Sequence, residues 1–224
     1  MGNPETLNPS ESRNGRIARI LPLKLKDVSY EIGRMRLIKD LSVEFSASTL
    51  TVVLGPNGAG KSLLLRLCHG LIKPSIGTVE WGGSESTSAK RYQAMVFQRP
   101  IMLRRSVFAN LDHALKHRGM KKSERIGKID EILSHTGLTR LAKISARLLS
   151  VGEQQRLAVA RAWSLDPEVL FLDEPTAALD PAATHSLEEI IDSISKSGTK
   201  VIMSTHDLGQ AKRLADEILF LYRG

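Results

Sequence analysis

Apolar and polar positions alternate through L-K-L-K-D-V-S-Y at 23–30, and more loosely at 37–45. A period of two puts every second side chain on one face, so both stretches predict half-buried antiparallel strands. The pattern then changes. Short, mostly apolar runs with β-branched residues stand at 50–54, 95–97, 169–172 and 200–204, most of them separated by helical stretches. Such runs predict strands buried on both faces in a parallel α/β sheet, where ligands bind at the strand C-termini. Helical spacing at 107–118 and 123–136 predicts an inserted helical subdomain at about 99–150. Residues 1–21 are rich in Asn, Pro, Ser and Glu without a sustained period, so a flexible tail is expected before a domain at 22–224. The expected fold class is α/β, with a mostly parallel core sheet, an N-terminal antiparallel β subdomain and the helical insertion.

Composition narrows this picture. A chain of 224 residues with 42% hydrophobic and 25% charged positions suits one compact domain and excludes a repeat array or global disorder. Thirty-two Lys and Arg against 24 Asp and Glu give +8, which points to a polyanionic partner or an anionic membrane surface without choosing between them. The surplus is local: residues 99–147 hold twelve Lys and Arg against four acids. This reads either as a solvated basic surface or as one facing lipid headgroups or an acidic partner. Cys68 stands alone, so no internal disulfide or paired-cysteine zinc site is expected, and a reducing compartment is. No apolar run approaches transmembrane length, and the first residues lack the order of a signal peptide; a soluble, intracellular chain is expected.

Gly55-Pro56-Asn57-Gly58-Ala59-Gly60-Lys61-Ser62 follows the apolar run T-L-T-V-V-L and precedes the helical L-L-L-R-L-C. A P-loop needs that context: glycines let successive N–H groups turn inward as an anion nest, and the helix adds the positive end of its dipole. Lys61 would reach the β- and γ-phosphates and the Ser62 hydroxyl would ligate Mg²⁺. The run V-L-F-L-D-E-P at 169–175 ends a buried strand in two adjacent carboxylates. Burying two acids there is costly unless a cation or catalysis uses them. Asp173 fits an acid that holds Mg²⁺ through water, and Glu174 a general base for the attacking water. Gln98 and His206 also follow strands, so both are expected at the P-loop edge of the sheet.

These residues in this order resemble the ATP-binding-cassette (ABC) ATPases. The deciding element is L-L-S-V-G-E-Q-Q-R-L-A-V-A-R-A at 148–162, which looks like the family signature, followed by the acidic strand and by A-A-L-D at 177–180. The resemblance runs from about 23 to 222 and implies ATP and Mg²⁺ as cofactors. It makes Tyr30 the aromatic that stacks on adenine, and Gly55 to Ser62 with Leu63 the phosphate site. It makes Gln98 a ligand of Mg²⁺ or water that senses the γ-phosphate, and His206 the residue that holds the γ-phosphate and attacking water. Ser150, Val151, Gly152 and Glu153 would face a nucleotide bound to a second copy in a head-to-tail dimer, with Asp180 at the interface. Ser150-Val151-Gly152-Glu153 also reads locally as a capping box, whose helix start suits an anion. Two positions depart from the family: Val151 stands for a glycine and Glu153 for a glutamine. The first limits close approach, and the second adds negative charge near a phosphate unless it points back into its own cap.

In transport members, the helical subdomain and the segment after the glutamine form a groove for a short helix of a membrane subunit. Here that segment is 98–107, whose apolar Ile101, Met102 and Leu103 read either as a docking surface with an arginine rim or as a cap on the subdomain core. The resemblance therefore implies an importer ATPase on the cytoplasmic face of the inner or plasma membrane, with integral-membrane permease subunits and, indirectly, a substrate-binding protein. The stretch M-V-F-Q-R-P-I-M-L-R-R-S-V-F-A-N-L, with H-G-L at 69–71, looks most like the ATPases of tungstate and related oxyanion importers. An exporter ATPase is the alternative, as is a non-transport ABC ATPase acting on nucleic acid or ribosomes. The latter needs a second cassette or a long inserted coiled coil, and neither is present, so no nucleic acid partner is expected.

Overall fold

The computed structural model describes residues 19–47, 49–83 and 86–224. Along the chain the strands are β1 (Leu23–Ile32), β2 (Met35–Phe45), β3 (Leu50–Leu54), β4 (Ile76–Trp81), β5 (Gln93–Val96), β6 (Val169–Asp173), β7 (Lys200–Thr205) and β8 (Glu217–Phe220). The helices are α1 (Lys61–His69), α2 (Val107–His117), α3 (Lys122–His135), α4 (Val151–Trp163), α5 (Pro181–Lys196) and α6 (Leu208–Leu214). The strands form two sheets, ordered β2-β1-β4 and β5-β6-β7-β3-β8. The first is antiparallel, pairing Leu23 with Phe45 and with Trp81 on either side of β1. The second is parallel throughout.

The apolar runs without alternation are explained by two cores. Val53, Val169, Phe171 and Ile202 point to one side, where Leu64, Leu65, Leu67 and Cys68 of α1 fill the space up to Leu23, Leu25 and Val28 of β1. Leu50, Val52, Leu170, Leu172, Val201 and Met203 point to the other, against α4 and against Leu187, Ile190, Ile191 and Ile194 of α5. Alternation is still present, but both faces are apolar because both are covered.

The helical subdomain has a third core: Val107, Leu111 and Leu115 of α2 meet Ile129, Ile132 and Leu133 of α3 at helical spacing. Leu157 and Ala160 of α4 complete it, so its packing continues past the boundary expected near 150.

Two expectations are corrected. Residues 1–18 of the expected tail lie outside the described residues, but Ile20 and Leu21 are buried in the α1 core. The Glu168 carboxylate accepts the N–H groups of Arg19, Ile20 and Leu21 at 2.8, 3.0 and 3.0 Å, so the folded domain begins before 22. The strand expected at 95–97 occupies 93–96 and leaves Phe97 exposed. Strands β4 and β8 were not expected: glycine interrupts the first, and the second is a four-residue strand in the short apolar run 218–222.

Candidate functional site

β3 delivers residues 55–60 to the C-terminal edge of the parallel sheet, and α1 departs from it. Gly58 and Gly60 have φ of 80° and 102°, a region that a side chain disfavours and that turns the loop around its own N–H groups. Gly60 is the N-cap of α1, whose first turn has no capping side chain and no acid. The positive end of that helix is therefore left for an anion. Pro56, Asn57 and Gly58 are exposed at the lip, Gly55 and Ala59 are buried beneath it, and Leu63 packs its side chain on the α1 core.

Lys61 is buried, donates to the carbonyls of Gly55 (2.8 Å) and Pro56 (3.1 Å), and lies 3.1 Å from Glu174 Oε1. The other Glu174 oxygen, Oε2, is 3.5 Å from Gln98 Nε2 and 3.5 Å from His206 Nδ1. Residues that follow β3, β5, β6 and β7 thus converge on one carboxylate. The Ser62 hydroxyl donates to Asp173 Oδ1 at 2.7 Å. Ser204, which the sequence reading passed over, also donates to Asp173 Oδ1, at 2.9 Å, and accepts the Glu174 N–H at 2.9 Å.

The donor set here is hard oxygen: the hydroxyl of Ser62, the carboxylate of Asp173 and the side-chain carbonyl of Gln98. Among the described residues no group of three or more His, Cys, Asp or Glu could cage a metal. One hydroxyl and one carboxylate beside an anion nest fit Mg²⁺, which keeps water and phosphate oxygens as its remaining ligands.

Tyr30 pairs with Ile38 across β1 and β2 and is half-buried against the α1 core. Ile38 in turn lies where a Cβ at Gly60 would meet its Cδ1 at 2.8 Å. Tyr30 is therefore one cross-strand step from the phosphate loop.

The signature residues form a second centre. Ser150 is the N-cap of α4, and both arms of its capping box are made: Ser150 Oγ accepts the Glu153 N–H, and Glu153 Oε2 accepts the Ser150 N–H at 2.8 Å. Glu153 also accepts the Ser150 hydroxyl at 2.8 Å. These donors, the Ser150 N–H first, hold the Glu153 carboxyl below the usual glutamate range, and its charge is spent within its own helix end. The backbone approach that Gly152 allows is used by a neighbour, since a Cβ there would meet Ala183 at 3.0 Å. Val151 is 59% exposed. Asp180 caps α5 by accepting the Ala183 N–H at 2.8 Å, and with Ser150, Val151, Gly152, Glu153 and Arg156 it lines an open cavity of about 450 Å³. No P-loop residue lines that cavity, so within one chain the two centres are separate.

The ABC transporter family profile matches residues 38–177. The tungstate uptake system ATP-binding protein TupC of Peptoclostridium acidaminophilum is 42% identical over 184 residues, spanning 82% of this chain and 86% of that protein. The phosphate import ATP-binding protein PstB 2 of Shouchella clausii is 34% identical over 218 residues, 90% of this chain and 80% of that protein. Among solved structures, cbiO1 of Clostridium perfringens, part of the ABC transporter complex cbiONQ, superposes with a TM-score of 0.81 at 26% identity, covering 90% of this chain and 85% of that one. Site geometry, profile and relatives therefore agree that the chain belongs to the ABC transporter family and is a nucleotide-binding ATPase.

Proposed function

We propose that this chain is the ATP-hydrolysing subunit of an importer, working as a head-to-tail dimer on a separate membrane permease, with tungstate or a related oxyanion as cargo. The observation that carries the chemistry is the Glu174 carboxylate held between Lys61, Gln98 and His206. Support for import of an oxyanion is the 42% identity to a tungstate uptake protein and the 34% identity to a phosphate import protein.

In this reading the anion nest and Lys61 bind the β- and γ-phosphates. Ser62, Asp173 and Gln98 hold Mg²⁺, which when bound neutralises phosphate charge at the reacting group. Lys61 serves as counter-ion of Glu174 until phosphate takes its place, so binding of nucleotide releases the carboxylate. Glu174 then takes the proton of the attacking water, with Gln98 and His206 fixing its orientation. Ser150 and the N–H groups at the start of α4 face the nucleotide of the second copy, and Asp180 lies at that interface. With Glu153 folded into its cap, the charge feared from that departure is turned away from the phosphate.

The permease docks on the segment after Gln98, in a changed form from the sequence expectation. Met102 and Leu103 are half-buried, and Met102 packs against two cores; only Ile101 of the three is fully offered, at 81% exposed. The Arg105 carbonyl accepts the Ala146 N–H and the Ile144 carbonyl accepts the Val107 N–H, both at 2.9 Å. These bonds bring Leu148, 79% exposed, and Ile144, 42% exposed, alongside, with exposed Arg104, Arg105, Lys143 and Arg147 as the rim. Arg161 Nη2 holds the Ile101 carbonyl at 2.9 Å, and Asn110 Oδ1 holds the Leu103 N–H at 3.2 Å, so motion at this surface reaches both α2 and α4. No helix among the described residues is long and apolar enough to cross a membrane, and the spanning part is assigned to the permease.

The test is affinity purification of Glu174→Gln with Mg-ATP from membranes of its host, with mass spectrometry of what accompanies it. A multi-span membrane protein together with a substrate-binding protein is expected, and that binding protein is then screened against tungstate, molybdate, sulfate and phosphate. Ribosomes or DNA-bound proteins without a membrane subunit would contradict the reading.

A further inference from the structure

β7 reads K-V-I-M-S-T, and the two-residue period places Ser204 on the same face as Ile202, toward α1. An aliphatic side chain would suit that environment. The serine hydroxyl is instead 0% exposed and fully employed. It donates to Asp173 Oδ1 at 2.9 Å and accepts the Glu174 N–H at 2.9 Å, which one hydroxyl does at once with its single hydrogen and a lone pair.

Each bond fixes something different. Asp173 sits opposite Ser204 in the β6–β7 register, and its Oδ1 is shared with the Ser62 hydroxyl at 2.7 Å. Two hydroxyls on one oxygen define how that carboxylate is turned. At Glu174 the chain leaves the sheet with φ of 43°, a left-handed conformation that a residue with a side chain holds only when its surroundings impose it. The acceptor for its N–H is a side chain in place of a strand carbonyl, so β6 ends there and the backbone is held in the turn. That turn directs the Glu174 carboxylate to Lys61, Gln98 and His206.

We propose that Ser204 is a positioning residue for ATP hydrolysis: a buried hydroxyl that orients Asp173 and holds the Glu174 backbone in its left-handed turn without touching nucleotide. The proposal rests on Glu174 as the general base. Removing the hydroxyl frees the Glu174 peptide to relax, which misplaces the base, while Asp173 keeps the Ser62 hydroxyl as its donor and the loop contacts of Lys61 are unchanged. The effect therefore falls on turnover and spares nucleotide affinity.

The experiment compares Ser204→Ala, Ser204→Val, Ser204→Thr and Glu174→Gln with the native chain. It measures kcat and KM for ATP, the Kd of a fluorescent ATP analogue with Mg²⁺ and with EDTA, and the melting midpoint. Expected for Ser204→Ala is a fall in kcat of tenfold or more with KM and both Kd values within twofold, and for Ser204→Thr, which keeps the hydroxyl, kcat within threefold of native. Ser204→Val, which fills the volume, repeats the kcat loss if the alanine variant folds poorly. Native-like kcat in folded Ser204→Ala or Ser204→Val beside an inactive Glu174→Gln would overturn the proposal, as would equal losses in the alanine and threonine variants. Native-like turnover of Glu174→Gln is a different result, which removes the base assignment itself and the proposal with it.

Discussion

Gly55 opens the phosphate loop, and its φ is not among the left-handed ones, so torsion does not require a glycine there. Space does. A Cβ at 55 would stand 2.2 Å from the Leu221 carbonyl oxygen and 3.3 Å from Ala59 Cβ. Ordinary contact is about 3.4 Å, so roughly 1 Å of overlap falls on backbone that no rotamer change can relieve. Nor is the obstructing segment free to withdraw: Leu221 N–H bonds to the Leu54 carbonyl at 2.8 Å, Gly224 N–H to Ala59 at 3.2 Å, and Lys39 N–H to Gly224 at 2.8 Å. Overpacking costs about 1–3 kcal/mol and each strained hydrogen bond about 1, so Gly55→Ala is expected to lose on the order of 2–4 kcal/mol of stability. In a domain of this size that lowers the melting midpoint by roughly 5–15 °C. A loop displaced by about 1 Å no longer matches phosphate oxygens, and affinity for a fluorescent ATP analogue is expected to fall tenfold or more. Gly58→Ala is the control: no atom lies within 4 Å of its added Cβ, and only its φ of 80° is penalised, by about 1 kcal/mol. Native affinity and melting in Gly55→Ala, or a larger loss in Gly58→Ala, would refute the reasoning.

Lys200 is fully buried at the opposite edge of the sheet, donating to Thr49, to Thr51 at 2.7 Å and to Glu217 at 3.4 Å, and burial lowers its pKa to about 8. Because the folded pKa is depressed below the unfolded 10.5, its contribution to stability is full above pH 10.5 and is lost as pH falls through about 8. Relative to Lys200→Met, urea unfolding of the native chain should gain on the order of 3 kcal/mol between pH 8 and 10.5, and parallel curves would count against a buried lysine. Glu153→Gln keeps an acceptor for the Ser150 N–H but removes a charge from the α4 N-terminus, so a loss of about 0.5–1 kcal/mol in thermal unfolding is expected, with ATP turnover equal to native or higher. A fall in turnover would show that the charge itself serves the trans site. Glu168→Ala removes the acceptor of three N–H groups at 19–21 and should destabilise by about 2–4 kcal/mol without changing nucleotide affinity; a native melting midpoint would show that this segment is not held.

What the sequence made legible was whatever depends on local residue type. The P-loop glycines, the paired acids 173 and 174 and the capping box at 150–153 each carry their physical reason within a few positions: the loop joins β3 to α1, the acids stand at the end of β6, and Ser150 caps α4. Gln98 and His206 could be placed because each ends a recognisable strand. Ser204 could not, since a serine in an apolar run reads as tolerated polarity until the register sets it opposite Asp173. Glu168 and Lys200 likewise gain meaning only from partners far along the chain. Ile20 and Leu21 are too short a run to show periodicity, and the proposed docking surface needed the pairing of 105–107 with 144–146 before Leu148 and Ile144 could replace Met102 and Leu103.

The most direct test of the central claim is light scattering of Glu174→Gln with and without Mg-ATP, alongside its steady-state turnover. The account expects a monomer without nucleotide, a dimer of two chains trapped by Mg-ATP, bound ATP recovered intact, and turnover reduced at least a hundredfold. Turnover at the native rate, or a chain that binds Mg-ATP and stays monomeric while hydrolysing it, would contradict the account.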